Sequence, residues 1–74
     1  MTSNNCTFAI SSVTYAIKAQ NYLKEHRINA RVVRLLPGQA PGGCAYGIEL
    51  DCRASRRAAS ILTEAGITAN QLPS

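Results

Sequence analysis

The sequence has no tryptophan, few acidic side chains and no long apolar run. No stretch approaches the roughly 20 apolar residues of a transmembrane helix, so we expect no membrane span. The first residues lack the basic and apolar segments of a signal peptide, which predicts a cytoplasmic protein. Its 74 residues predict one small domain, residues 1–74, and 46% hydrophobic content excludes intrinsic disorder. The small core that such a chain can bury favours a homodimer or a larger partner.

Cysteine is also scarce, with three residues and no pair at CxxC spacing. An odd number at these spacings argues against a disulfide framework. A structural zinc site usually needs four ligands, and only His26 could join the three thiols. We therefore expect no metal and no cofactor, and we expect Cys6 and Cys52 to be free thiols.

The charge balance is basic, with eight Lys and Arg residues against four Asp and Glu residues and a formal charge of +4. Such a balance raises the possibility of a nucleic-acid partner, because arginines neutralise phosphates. Base recognition also uses aromatic side chains among the basic residues, and this interleaving is missing here. Nucleic-acid binding is therefore the weaker alternative.

Hydrophobic periodicity and turn residues predict six elements in the order strand, helix, strand, strand, helix, strand. The predicted strands cover 6–11, 30–36, 45–51 and 67–72, and the predicted helices cover 12–27 and 55–65. This order is that of an α+β ferredoxin-like βαββαβ sandwich, a four-stranded antiparallel sheet with two helices on one face. The alternative is a three-stranded sheet in which residues 67–72 form no strand.

This topology predicts where each thiol lies, because the first and third strands are central and antiparallel neighbours. Cys6 begins the first strand and Cys52 follows the third, so the two lie at one end of the sheet and could come into contact. Cys44 precedes the third strand and lies at the opposite end, too far from Cys52 for a disulfide.

Cys44 has features that predict a reactive thiol. The first helix begins at the same end of the sheet, and the positive end of a helix dipole makes a thiolate more available. Gly42 and Gly43 leave the sulfur sterically open. The alternative is a passive thiol in a flexible loop. His26 lies at the far end of the helix, which argues against a Cys–His dyad, and so we do not expect a conventional enzyme with a general base.

The sequence contains several short motifs, namely Phe8 with Ser11, Leu23-Lys24-Glu25, Leu35-Leu36-Pro37, Gly43-Cys44 and the segment 62–67. Together, in this order, they resemble the selenium/sulfur carrier protein-like family of small bacterial proteins. The sequence departs from the family pattern at Ala45, where the family has glycine, and at Gly38, where the family has a basic residue.

The resemblance implies a carrier that holds sulfur or selenium on Cys44 as a persulfide or selenopersulfide, with donor and acceptor proteins as partners. A carrier of this kind needs no second catalytic group. Lys18, Arg31 and Arg34 are the candidates for docking an acidic donor or for steering anionic sulfur species. Besides nucleic-acid binding, two alternatives remain, namely a protein-interaction or regulatory module and, more weakly, a redox-sensing pair at Cys6 and Cys52.

Overall fold

The computed structural model describes residues 4–38, 40 and 44–72, which form four strands and two helices. In chain order the elements are β1 (Asn5–Ile10), α1 (Val13–Glu25), β2 (Ala30–Arg34), β3 (Tyr46–Asp51), a 3-10 turn (Cys52–Ala54), α2 (Ser55–Glu64) and β4 (Ala69–Gln71). The strands form one antiparallel sheet in the order β2-β3-β1-β4. The predicted α+β ferredoxin-like fold is therefore confirmed.

The fourth strand is short but forms. Residues Ala69–Gln71 pair with β1, and the backbone N–H of Leu72 extends this pairing by donating to the Thr7 carbonyl oxygen at 2.8 Å. The three-stranded alternative is therefore wrong.

Helix α1 begins where the sequence supplies a cap. The Ser12 hydroxyl oxygen accepts a hydrogen bond from the Tyr15 backbone N–H at 3.2 Å, which satisfies one of the unpaired donors of the first turn. The helix buries Ala16, Ala19 and Leu23, which recur at helical spacing along one face. The two alanines allow the helix to lie close to the sheet.

Two apolar residues of α1 lie outside the core. Val13 is 40% exposed and Ile17 is 47% exposed. Both lie on the flank of the helix beside the line of buried residues, because the 100° rotation per residue carries them away from it. The sequence marks both as apolar, but it does not reveal which flank the sheet leaves uncovered.

Asp51 and Gly66 bound the second helical segment. An Asp51 side-chain oxygen accepts from the Arg53 backbone N–H at 2.9 Å, so Asp51 caps the 3-10 turn that precedes α2. Ser55 is the first residue of α2 and not its cap. Gly66 follows the helix with a φ of 76°, a left-handed conformation that glycine adopts without strain.

The main core lies between the two helices and one face of the sheet. Its largest fully buried side chains are Phe8, Ile10, Leu23, Ile48 and Leu62. They come from both helices and both central strands, which confirms that the helices cover the same face. Burial of these side chains is the dominant stabilising contribution.

A second, smaller cluster lies on the opposite face of the sheet. Ala9 belongs to it and alternates along β1 with Phe8 and Ile10, which face the helices. The buried members of this cluster are Ala9, Leu35, Ala40 and Leu72. We call it the outer cluster. It covers only part of the outer face, near the end of the sheet where β1 and β2 end.

Gly47 lies beneath the outer cluster and is a close-approach site. A Cβ atom there would lie 2.5 Å from the Phe8 carbonyl oxygen and 3.5 Å from Leu35 Cδ1. The strand register is regular at this point, with Gly47 opposite Ala9, so there is no bulge. Glycine is required because the two central strands leave no room for a side chain.

Candidate functional site

The three cysteines have different chemical states. Cys6 and Cys52 form a disulfide, and Cys44 is the free cysteine. Our prediction that Cys6 and Cys52 are free thiols is therefore wrong. The prediction that Cys44 does not pair with Cys52 is confirmed.

The register of the central strands explains the disulfide. Cys6 lies opposite Leu50, and the Cys52 backbone N–H donates to the Asn4 carbonyl oxygen at 2.8 Å. The 3-10 turn that starts at Cys52 then leaves the two Cα atoms 4.9 Å apart, within the range for a disulfide. The topology placed both thiols at one end of the sheet, but only the residue-by-residue register could show that they meet.

Cys44 lies at the other end of the sheet, at the exit of the connection between β2 and β3. The Leu35 backbone N–H donates to the Ala45 carbonyl oxygen at 2.8 Å, so the two chain segments are held together where this connection closes. The Cys44 side chain is half-buried and packs against the outer cluster. We expected this thiol beside the start of α1. It lies at that end of the sheet, but its packing partners are on the face away from the helices.

A groove of about 520 Å³ adjoins the thiol. Its lining residues are Arg34, Leu35, Leu36, Pro37, Gly38, Cys44 and Ala45. Aliphatic side chains and backbone form most of the wall, and Arg34 is its one charged lining residue in the part of the chain that the structure describes. A volume of this size matches small-molecule pockets, although this groove is open to solvent along one side.

The three predicted docking residues do not lie together. Arg34 lines the groove beside Cys44, and none of the described carboxylates pairs with it. An Arg31 Nη2 atom lies 2.6 Å from Glu49 Oε1 on the outer face, so this guanidinium is already paired. Lys18 lies on α1 with its Nζ atom 5.5 Å from the centre of the Tyr15 ring. The structure thus brings one of the three to the thiol.

Gly42 and Gly43, which we predicted to support the thiol, lie outside the described residues. Leu36, Pro37 and Ala45 were not singled out from the sequence as site residues, yet all three line the groove. The signal that could have found them is the pairing of β2 with β3, which returns the chain to Cys44 beside the end of β2.

The opposite end of the sheet has its own electrostatics. The Arg53 guanidinium and the Arg53 backbone N–H both donate to Asp51 and hold the pKa of its carboxyl below the ordinary value of 3.8. His26 follows the last residue of α1, and its carbonyl oxygen accepts a hydrogen bond from an Arg57 Nη2 atom at 3.1 Å. This side-chain-to-backbone hydrogen bond joins the end of α1 to α2.

No group of three or more His, Cys, Asp or Glu side chains that could hold a metal ion occurs within residues 4–38, 40 and 44–72. Over the same ranges, neither helix is long and apolar enough to cross a lipid bilayer.

Comparison with known proteins identifies the family. No curated protein matches the chain, and neither does a solved structure. The sequence profile of a family described as "Putative Se/S carrier protein-like" matches residues 5–72, which is nearly the whole chain and includes Cys44. On this match, the chain belongs to the Se/S carrier protein-like family.

Proposed function

We propose that this protein carries sulfane sulfur, or selenium in the same oxidation state, on the Cys44 thiol. The observation that carries the proposal is that Cys6 and Cys52 are bonded to each other, which leaves Cys44 as the one free cysteine in a chain of a carrier-like family. A carrier needs a thiol that an incoming donor can reach. Cys44 is half-buried at the edge of an open groove, which supports this use.

Loading is a transfer between two thiols without net oxidation. The Cys44 thiolate attacks the outer sulfur of a donor persulfide, R–S–SH. A bond forms between the Cys44 sulfur and that outer sulfur, the S–S bond of the donor breaks, and the donor leaves as the thiolate RS⁻. Delivery repeats the same step, with an acceptor thiolate attacking the outer sulfur and Cys44 leaving as a thiolate. A selenopersulfide follows the same sequence with selenium as the outer atom.

Arg34 supports this chemistry as a positioning residue. Arg34 lines the same groove as Cys44, and its positive charge would attract anionic donors such as persulfide anions. Leu36 and Pro37 provide apolar contact for the carbon skeleton of a donor or for a loop of a donor protein. The net charge of +4 favours acidic donor and acceptor proteins. Arg31 and Lys18 would contribute to that long-range attraction and not to contact at the thiol.

The interaction-module and nucleic-acid-binding alternatives predict different results from the carrier. A protein-interaction module would keep its partner after removal of the Cys44 thiol. A nucleic-acid-binding domain of the sheet type stacks bases on aromatic side chains. Phe8 and Tyr46, the aromatic residues of the described strands, both pack on the helix-facing side, so the outer face of this sheet offers no aromatic ring for stacking. This arrangement favours the carrier over nucleic-acid binding.

The test is loading of the oxidised protein with cysteine persulfide, followed by intact-mass measurement. We expect a mass gain of one sulfur atom in the wild type and in Arg31→Gln, and none in Cys44→Ser. Arg34→Gln, matched to Arg31→Gln in charge, should slow loading about threefold, because it removes a positive charge from the groove that Cys44 lines. Equal sulfur uptake by Cys44→Ser would overturn the proposal.

A further inference from the structure

The Cys6–Cys52 disulfide is asymmetric in its exposure. Cys6 is 5% exposed and lies in β1 among core residues, whereas Cys52 is half-buried at the start of the 3-10 turn. An external thiolate must approach a disulfide along the line of the two sulfur atoms, and it attacks the sulfur that it can reach. Because Cys52 is the more exposed residue of the pair, attack is expected at its sulfur, with Cys6 as the residue whose sulfur departs.

A hydrogen-bond donor lies at the departing sulfur. The Gln71 side-chain Nε2 atom donates to Cys6 Sγ at 3.4 Å, from the last residue of β4. Sulfur in a disulfide is a weak acceptor, but a thiolate is an anion, so the same N–H would bind the departing sulfur more strongly. The donor is thus arranged to stabilise the product of attack more than the intact bond.

We propose that Cys6–Cys52 is a thiol–disulfide exchange site, with Cys52 as the attacked sulfur, Cys6 as the leaving thiolate and Gln71 as its positioning residue. A thiolate RS⁻ attacks Cys52 Sγ. An RS–S bond forms, the Cys6–Cys52 bond breaks, and its electron pair remains on Cys6 as a thiolate. A second thiol group of the reductant then displaces Cys52, so that the reductant is oxidised to a disulfide and the protein gains two thiols. The site is separate from Cys44, and the exchange does not depend on the carrier function.

Reduction of the disulfide would change the stability of the fold, because the bond links two elements of it. The bond joins β1 to the turn that leads into α2. Reduction releases this tie while leaving the hydrogen-bonded register of β1 and β3 in place. The chain would thus have two folded states of different stability, selected by thiol reductants.

The first test measures reduction of the folded protein by dithiothreitol, with iodoacetamide quenching and intact-mass analysis. We expect reduction without global unfolding, at a rate that does not change with low concentrations of urea. Gln71→Leu keeps the disulfide but should be reduced about threefold to tenfold more slowly, because the departing thiolate loses a hydrogen bond. Asn70→Leu, its neighbour on β4, is the matched control and should react like the wild type.

The second test identifies the attacked sulfur. Cys6→Ser leaves Cys52 as the only thiol of the former pair, and Cys52→Ser leaves Cys6. Free Cys52 should react with iodoacetamide about tenfold faster than free Cys6, since it is more exposed. The proposal is overturned if Cys6 reacts faster, if reduction follows global unfolding, or if Gln71→Leu reacts like Asn70→Leu. Because Gln71→Leu retains the disulfide, the result remains decisive even if a cysteine variant fails to fold.

Discussion

Removal of the Cys6–Cys52 bond should lower the free energy of unfolding by about 4 kcal/mol. The bond closes a loop across a sequence separation of 46 residues, and the loss of loop entropy in the unfolded chain at that length gives this value. A chain of 74 residues has a total stability of about 4 to 11 kcal/mol. The reduced protein is therefore expected to stay folded with a smaller margin, which these figures put at about 0 to 7 kcal/mol.

The assay is urea unfolding followed by far-ultraviolet circular dichroism, at fixed protein concentration and pH. Oxidised wild type is compared with dithiothreitol-reduced wild type and with Cys52→Ser, in which the buried Cys6 side chain stays in the core. Cys44→Ser is the matched control, because it removes a thiol and keeps the disulfide. A loss of about 4 kcal/mol corresponds to a fall in melting temperature of roughly 15–30 °C. If the reduced protein and Cys52→Ser both lie within about 1 kcal/mol of the oxidised protein, the entropic reasoning is refuted.

Three further predictions test the fold and its electrostatics. Gly47→Ala should lower the free energy of unfolding by about 1–3 kcal/mol in urea, because the alanine Cβ would meet the Phe8 carbonyl oxygen. An unchanged urea midpoint would show that the two central strands can move apart without cost. Leu62→Ala should lower it by about 2–5 kcal/mol, since this side chain is fully buried between α2 and the sheet, and a smaller loss would mean that the core collapses around it. The hydrogen bonds from Arg53 lower the pKa of Asp51, so their stabilising effect is present above pH 3.8 and lost as the pH falls through the lower pKa of the folded state. Nuclear magnetic resonance titration should place the Asp51 midpoint below 3.8, and a midpoint at or above that value would contradict the contact.

The order of the elements could be predicted because each had a local signal. Ser12 is a residue type that commonly caps a helix, and it marks the start of α1. The glycine and proline residues after β2 indicate the long connection to β3. The ends of the strands were predicted less well. β2 ends at Arg34, two residues earlier than we predicted, although the Leu35 backbone N–H still donates to the Ala45 carbonyl oxygen just beyond the strand.

The state and surroundings of the cysteines could be predicted only in part. The spacing in sequence assigned Cys6 and Cys52 as free thiols, whereas pairing across the sheet brings them together. The packing of Cys44 on the outer face depends on how the chain enters β3. Cys44 lies outside the strand, so the alternation of apolar residues along a strand does not predict which face it packs on. Its packing partners Leu35 and Ala40 come from earlier in the connection between β2 and β3. Long-range placement of this kind follows from tertiary structure and not from local pattern.

The predicted cytoplasmic location and the predicted partners stay predictions. Disulfides are rare in cytosolic proteins of most organisms, where thiol reductants keep cysteines reduced. In such a compartment, the Cys6–Cys52 bond would form and be reduced again, and it would not be permanent. Alkylation of intact cells before lysis, followed by mass analysis, would show which state the protein occupies there.

Single-turnover delivery from Cys44 tests the carrier function most directly. Protein loaded with one sulfur atom on Cys44 is separated from the donor and mixed with glutathione, and the products are identified by mass. Attack on the outer sulfur gives glutathione persulfide and a free Cys44 thiol, and we expect this as the main product, in a one-to-one ratio with the loaded protein. Attack on the inner sulfur gives a Cys44–glutathione disulfide and hydrosulfide. If hydrosulfide and the mixed disulfide predominate, Cys44 does not pass sulfur onward and the protein is not a carrier.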